Sequence, residues 1–223
     1  MIRKVAMLFC TLMFSLTALA AQYPTPLMEA ARTSDSRTVQ ALIDSGASVH
    51  DLDKNGRTAL MYAARSNFRP EVINVLVAAG SEVNQTDVEG MTALLLVTSI
   101  QHKEHHKPVV DALIKAGADV NQMSNSGMTP LMWAAVHDQI YHVESLIASG
   151  ADVNHSNKLM MTALMYAALP SEPSAKLRKT GVIIVLNAAG ANKSLVNENG
   201  MTAYDIAVAN KQWKEIVGLL KVK

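Results

Sequence analysis

The sequence predicts an all-α chain, a solenoid of about six helix-turn-helix units joined by finger loops. Three observations predict it. A heptad headed by threonine recurs about every 33 residues. Apolar helical runs end in glycine at Gly46, Gly80, Gly117, Gly150 and Gly190. Ten positions after each of these stand Gly56, Gly90, Gly127, Met160 and Gly200, so one place in the second glycine series is held by methionine.

The heptads align closely. Thr25-Pro26-Leu27-Met28-Glu29-Ala30-Ala31, Thr58-Ala59-Leu60-Met61-Tyr62-Ala63-Ala64, Thr129-Pro130-Leu131-Met132-Trp133-Ala134-Ala135 and Thr162-Ala163-Leu164-Met165-Tyr166-Ala167-Ala168 are near-copies. Weaker copies begin at Thr92 and Thr202. Units are therefore placed near 25–56, 57–90, 91–127, 128–160, 161–200 and 201–223, within one repeat domain spanning 21–223.

Each element has a physical reason. Threonine accepts a hydrogen bond at a helix N-cap, and Pro26 or Pro130 follows at the first helical position, where no amide hydrogen is needed. A first helix starts there. Its leucine faces the core, and its Ala-Ala pair lets neighbouring helices approach closely. A second helix follows, as in 109–116, with apolar residues three and four apart. The glycine ending it supplies a left-handed cap. Ala118-Asp119-Val120-Asn121 and Asn125-Ser126-Gly127 then read as an extended, turn-rich finger.

Residues 1–20 have the composition of a signal peptide: Arg3 and Lys4, an apolar run over Val5 to Leu16, and the small-x-small triplet Ala18-Leu19-Ala20. The run is short of the roughly 20 residues that a spanning helix needs, so no membrane span is expected in the mature form. Cys10 is the one cysteine and lies in this segment, which removes disulfide and thiol chemistry from the rest. Without Arg3 and Lys4, 18 basic residues face 19 acidic ones, with no basic stripe to collect phosphates, and nucleic acid is not expected as a partner.

The order helix, helix, finger, with Thr-Pro-Leu-x-x-Ala-Ala and Gly-Ala-Asp-Val-Asn, resembles the ankyrin repeat from Thr25 to the C-terminus. One departure is systematic. The histidine that usually follows Thr-Pro-Leu in that family is replaced by Met28, Met61, Leu95, Met132, Met165 and Asp205. Apolar packing is expected where the family has a Thr-to-His hydrogen bond. Polar end faces are expected on a stacked array. Arg32 to Arg37 at one end, and Lys211, Lys214, Glu215 and Lys221 at the other, supply them.

The resemblance implies that a protein partner meets the fingers and the exposed side of the first helices, on a concave face. Matching positions give the candidate contact residues. The residue before each threonine is Arg57, Met91, Met128, Met161 and Met201, so four of the five form a methionine row. That row reads either as an adaptable contact strip or as packing at the finger base. Tyr62, Trp133 and Tyr166 form a second row, as binding anchors or as rings packed between helices. Arg65 and His137, with Ser66, Ser99, Ile100 and Val136, lie at the exposed ends of first helices. In Leu159-Met160-Met161 a methionine occupies the finger glycine, at a cost of about 1–2 kcal/mol if the backbone stays left-handed. This tip reads as a hot-spot knob or as a repacked turn.

Two connections are enlarged, His102 to Pro108 and Pro170 to Thr180, and both read as loops that could carry specificity or be plain solvent-facing chain. His102, His105 and His106, with His137 and His142 one unit later, raise a metal site. No further ligands complete a recognisable pattern, and the run 103–107 reads as a solvated loop. Nucleophile elbows, phosphate loops and paired carboxylates are missing from the sequence, so neither enzyme activity nor a cofactor is expected. The expected function is therefore that of a periplasmic, monomeric protein-binding module of an immunity or envelope-stress accessory kind. The alternatives are copper or zinc handling and a secreted effector that binds a host protein.

Overall fold

The computed structural model of the protein describes residues 24–101, 106–170 and 176–222. The expected signal peptide, 1–20, lies outside the described residues. Among the described residues twelve helices follow one another without a named strand. They pair as α1 (Pro26–Thr33) with α2 (Ser36–Asp44), α3 (Ala59–Ser66) with α4 (Pro70–Ala78), and α5 (Ala93–Thr98) with α6 (Lys107–Lys115). The later pairs are α7 (Pro130–Val136) with α8 (Ile140–Ala148), α9 (Ala163–Ala167) with α10 (Lys176–Ala188), and α11 (Ala203–Ala209) with α12 (Lys214–Leu220).

Each odd-numbered helix packs on the next odd one, and each even helix on the next even one, which is the solenoid arrangement. Threonine starts every odd helix as expected. Thr25, Thr58, Thr92, Thr129, Thr162 and Thr202 each accept a hydrogen bond from the backbone N–H three residues on. The leucines two positions later, Leu27, Leu60, Leu94, Leu131 and Leu164, are fully buried between units. Met28, Met61, Leu95, Met132 and Met165, at the family's histidine position, are buried beside them, so apolar packing fills that place in five units; in the sixth, Asp205 is exposed and accepts the N–H and hydroxyl of Thr202 instead. The Ala-Ala pairs are buried where successive odd helices meet.

Hydrogen bonds also bind unit to unit. Asn84 takes the Asp119 N–H and donates to the Gly117 carbonyl; Asn121 does the same at Asp152 and Gly150, and Asn154 at Asn192 and Gly190. The asparagine that follows Gly-Ala-Asp-Val, or Gly-Ser-Glu-Val at Asn84, is thus a splice between repeats. Its spacing of one unit explains why the residue recurs.

The two enlarged connections, read as loops that carry specificity or as plain solvent-facing chain, lie only partly within the described residues. Residues 102–105 and 171–175 lie outside the described residues, but their flanks are built into the core. His106, which caps the start of α6, is fully buried, so the solvated reading fails at this residue; its ring lies 4.7 Å from that of Phe68, just before α4. The second connection ends early, with α10 beginning at Lys176. Lys179 is buried and donates to the carbonyls of Ala167 and Leu169. A lysine in a charged stretch reads as solvent-facing; here those two carbonyls and the buried Asp138 carboxylate draw it inside.

Candidate functional site

The fingers are shaped by one side chain each. Asp53 Oδ1 accepts the N–H groups of Asn55 and Arg57, and Asp87 Oδ1 those of Glu89 and Met91. Ser124 holds Met128, Asn157 holds Leu159 and Met161, and Asn197 holds Asn199 and Met201 in the same way. These side chains mimic a backbone turn. They fix where the residue before each threonine points. Backbone bonds then join finger to finger, from Val88 N to Asn55 O and from Asn125 N to Glu89 O.

The methionine row falls inside this scaffold. Met91, Met128 and Met161 are buried at 7%, 6% and 8% exposure, and Met201 is half-buried. Burial under the finger turns leaves no exposed methionine strip, so packing at the finger base is what this row does. The sulfurs of Met128 and Met161 face the amide groups of Asn157 and Asn197. Of the row, Arg57 reaches the surface and Met91 touches a groove.

That groove, of about 1010 Å³, spans the second to fourth units. Arg57, Val88, Glu89 and Met91 line it from two fingers, and Ser124, Asn125 and Ser126 from a third. Arg65, Ser66, Leu96, Ser99, Ile100 and Trp133 line it from the odd helices. Four predicted contact residues, Arg57, Arg65, Met91 and Trp133, are thus brought together. A second cavity of about 160 Å³ adjoins it, sharing Arg57, Arg65, Ser66 and Leu96 and adding Arg32, Met61 and Tyr62.

The electrostatics are local. Arg57 Nε bonds Asp87 Oδ2 at 3.2 Å, and the Asp87 side chain is fully buried, so the finger aspartate also positions the arginine. Arg32 pairs with Glu29 in the open at 2.7 Å. Tyr62 donates its hydroxyl to Asp53 Oδ2 at 2.9 Å. Burial, then that bond, pushes its pKa up to about 12, so the phenol stays a donor. Tyr166 accepts from Asn157 Nδ2 at 2.7 Å, and burial raises its pKa too. Trp133 stacks on His137, with ring centroids 5.9 Å apart. The aromatic row is therefore half-buried, with Tyr62 and Tyr166 tied to finger side chains and Trp133 opening on the groove.

Leu159 and Met160 stand apart from the groove, 49% and 50% exposed. Met160 keeps the left-handed backbone of the glycine it replaces, with φ 55°, so the turn is retained and the strain is real. Its N–H bonds the Asn157 carbonyl at 2.9 Å, and the Asn157 side chain clamps both neighbours. Met161, the third residue of the expected knob, is buried.

Sequence reasoning missed the finger residues Asp53, Asp87, Ser124, Asn157 and Asn197, although each lies four positions before the residue that precedes a threonine. It also placed Arg32 in an end cap. Arg32 and Arg65 both follow an Ala-Ala pair, and that shared register was the available signal. Among the described residues no three of His, Cys, Asp and Glu converge as a metal site, and no helix is long and apolar enough to cross a membrane. His102 and His105 lie outside the described residues.

A stack of helix pairs with Thr caps, glycine-ended second helices and side-chain-built fingers defines a repeat-built binding protein. The sequence pattern of the ankyrin-repeat family matches residues 7–87 and 68–157, and the chain belongs to that family. Ankyrin-repeat domains are typically modules that bind proteins and carry no catalysis. An ankyrin repeat domain from Acinetobacter baumannii is similar at 29% identity and a TM-score of 0.75, over 87% of this chain and 95% of that one. The ankyrin repeat domain of Bcl-3, of the IkappaB family, is similar at 25% identity and a TM-score of 0.72, over 88% of this chain and 81% of that one. A chain in the structure of a predatory endopeptidase of Bdellovibrio bacteriovorus in complex with an immunity protein is similar at 27% identity and a TM-score of 0.72, over 89% and 98% of the two chains. No curated protein matches.

Proposed function

We propose that this chain is an exported module, resident in the periplasm, that binds one partner protein along its concave face and thereby inhibits, neutralises or supports it. The groove over the second to fourth units carries this reading: it is long, open and lined by fingers and odd helices together. Such a surface suits a strand or loop of another protein more than a small molecule, whose pocket would enclose most of it. The leader-like segment 1–20 supports export. The likeness to a chain from an endopeptidase–immunity protein complex supports a neutralising role against a hydrolase. The module acts as a monomer, without cofactor or catalysis of its own.

Affinity capture from periplasmic extract tests this, with residues 21–223 as bait beside a Ser126→Arg variant. Ser126 is exposed on the groove wall, so arginine there fills the groove and leaves the core alone. The expected result is a protein retained by the natural chain and lost with the variant, whose activity changes when the chain is added. Equal retention by both baits overturns the groove as the site. Cell fractionation that finds the chain in the cytosol overturns export.

A further inference from the structure

We infer that the groove is built around a carboxylate anchor: an extended segment of the partner protein places an aspartate or glutamate side chain among Arg32, Arg57 and Arg65. The segment then continues past Ser99 and Ser126 toward Trp133. This deepens the reading above and rests on it.

The three arginines converge for reasons of repeat geometry. Ala30-Ala31-Arg32 ends α1 as Ala63-Ala64-Arg65 ends α3, and the two helices pack side by side, so both guanidinium groups rise from one register. Arg57 enters from the finger between them. All three line the cavity of about 160 Å³, and no aspartate or glutamate lines it with them. Arg57 spends one N–H on Asp87 and Arg32 two on Glu29, whereas Arg65 has no carboxylate partner among the described residues. A guanidinium carries five donors in a planar fork suited to a carboxylate, so Glu29 and Asp87 use only a small part of the donor set at the cavity. Asp87 and Glu29 offset two of the three charges, so the positive charge left unmatched at the cavity is that of Arg65, and an incoming carboxylate pairs with it there.

The size of the neighbouring space decides what carries the anion. The cavity opens, through Arg57, Arg65, Ser66 and Leu96, into the groove of about 1010 Å³. A free carboxylate or phosphate would leave that groove empty. A peptide fills both, with the Ser66 hydroxyl to meet its backbone and the groove-lining Trp133 and Ile100 to take an apolar side chain; the Ser99 and Ser126 hydroxyls, already bonded to the Leu96 carbonyl and to Ser124, keep their lone pairs for a peptide N–H.

The test uses arginine Nε–H signals in heteronuclear NMR of residues 21–223. Three capped hexapeptides are titrated: Gly-Ser-Glu-Ser-Leu-Gly, its glutamine counterpart, and one with phosphoserine for glutamate. Saturable shifts of the Arg65 and Arg57 signals are expected with the glutamate peptide, about tenfold weaker binding with glutamine, and loss of the response in Arg65→Gln. Arg65 is exposed, so this variant keeps the natural melting temperature. Equal binding of the glutamate and glutamine peptides, or shifts that leave Arg65 unmoved, overturns the anchor. Response to the phosphoserine peptide alone overturns it in favour of a phosphate. A captured partner that is lost with Ser126→Arg but retained by Arg65→Gln sinks the anchor while the protein-binding reading stands. Glutamate-peptide binding with no captured partner supports the anchor while sinking that reading.

Discussion

Lys179 Nζ lies 3.5 Å from Asp138 Oδ1 with both side chains buried, so one ion pair ties the turn of the fourth unit to the second helix of the fifth. The same ammonium donates to the carbonyls of Ala167 and Leu169. Burial lowers the lysine pKa, and Asp138 pulls it back up. Removing one member of such a pair strands the other in a poor solvent. Lys179→Ala is therefore expected to cost about 3–5 kcal/mol in urea unfolding, and the double change Asp138→Asn with Lys179→Met to recover much of it. Additive losses in the double variant would show that the two groups do not act as a unit.

His142 ties acid sensitivity to a nearby place. Its ring is buried in α8 with Nδ1 held to Gln139 Oε1 at 2.8 Å, and Gln139 Nε2 bonds the Ile100 carbonyl of the preceding unit. Burial first, then the neighbouring His106, lowers its pKa from 6.5 to about 4. Lys107 acts in the same direction and Asp111 opposes it. The unfolded chain takes up a proton near pH 6.5 while the folded chain does not, so this contribution is complete above pH 6.5 and falls away as the pH drops toward 4. About 2–3 kcal/mol is expected to be lost over that window. Denaturant midpoints at pH 7 and pH 4.5, in the natural chain and in His142→Gln, check it. An equal decline in the variant refutes the assignment.

Much of this architecture was legible because it rests on local rules repeated in register. Thr58 caps a helix and Gly80 ends one, and neither depends on a distant residue for its role. The site was legible only in part. Periodicity placed Met91, Met128 and Met161 in a row but could not say which side of the finger they face, which Asp87, Ser124 and Asn157 decide through side-chain turns. His106 and Lys179 lie in irregular connections, where no period exists to read burial from. Their partners, Phe68 and Asp138, come from other units.

Met160 is expected to trade stability for exposure. It holds φ 55° at a place where the other fingers use glycine, and its side chain is half exposed. Met160→Gly should raise stability by about 1 kcal/mol, seen as a higher melting temperature. If the tip contacts the partner, the same variant binds more weakly while it melts later. Unchanged binding would assign Leu159 and Met160 to a turn without a role in recognition.

Gly90 connects the finger ladder to the groove. Its φ is 74°, and a Cβ added there would lie 2.6 Å from Asn125 Oδ1 and 2.7 Å from Asn125 N. That amide donates to the Glu89 carbonyl, and the Asn125 side chain donates to that of Val88, so the clash would press directly on the bonds joining two fingers. Gly200 is the control: φ is 71° there, with nothing within 4 Å of an added Cβ. Gly200→Ala should cost only the backbone strain of about 1–2 kcal/mol, and Gly90→Ala measurably more in the same unfolding assay. Because Glu89, Met91 and Asn125 all line the groove, Gly90→Ala should also weaken partner binding, whereas Gly200→Ala should not. Equal binding by the two variants would mean that the partner does not rest on these fingers.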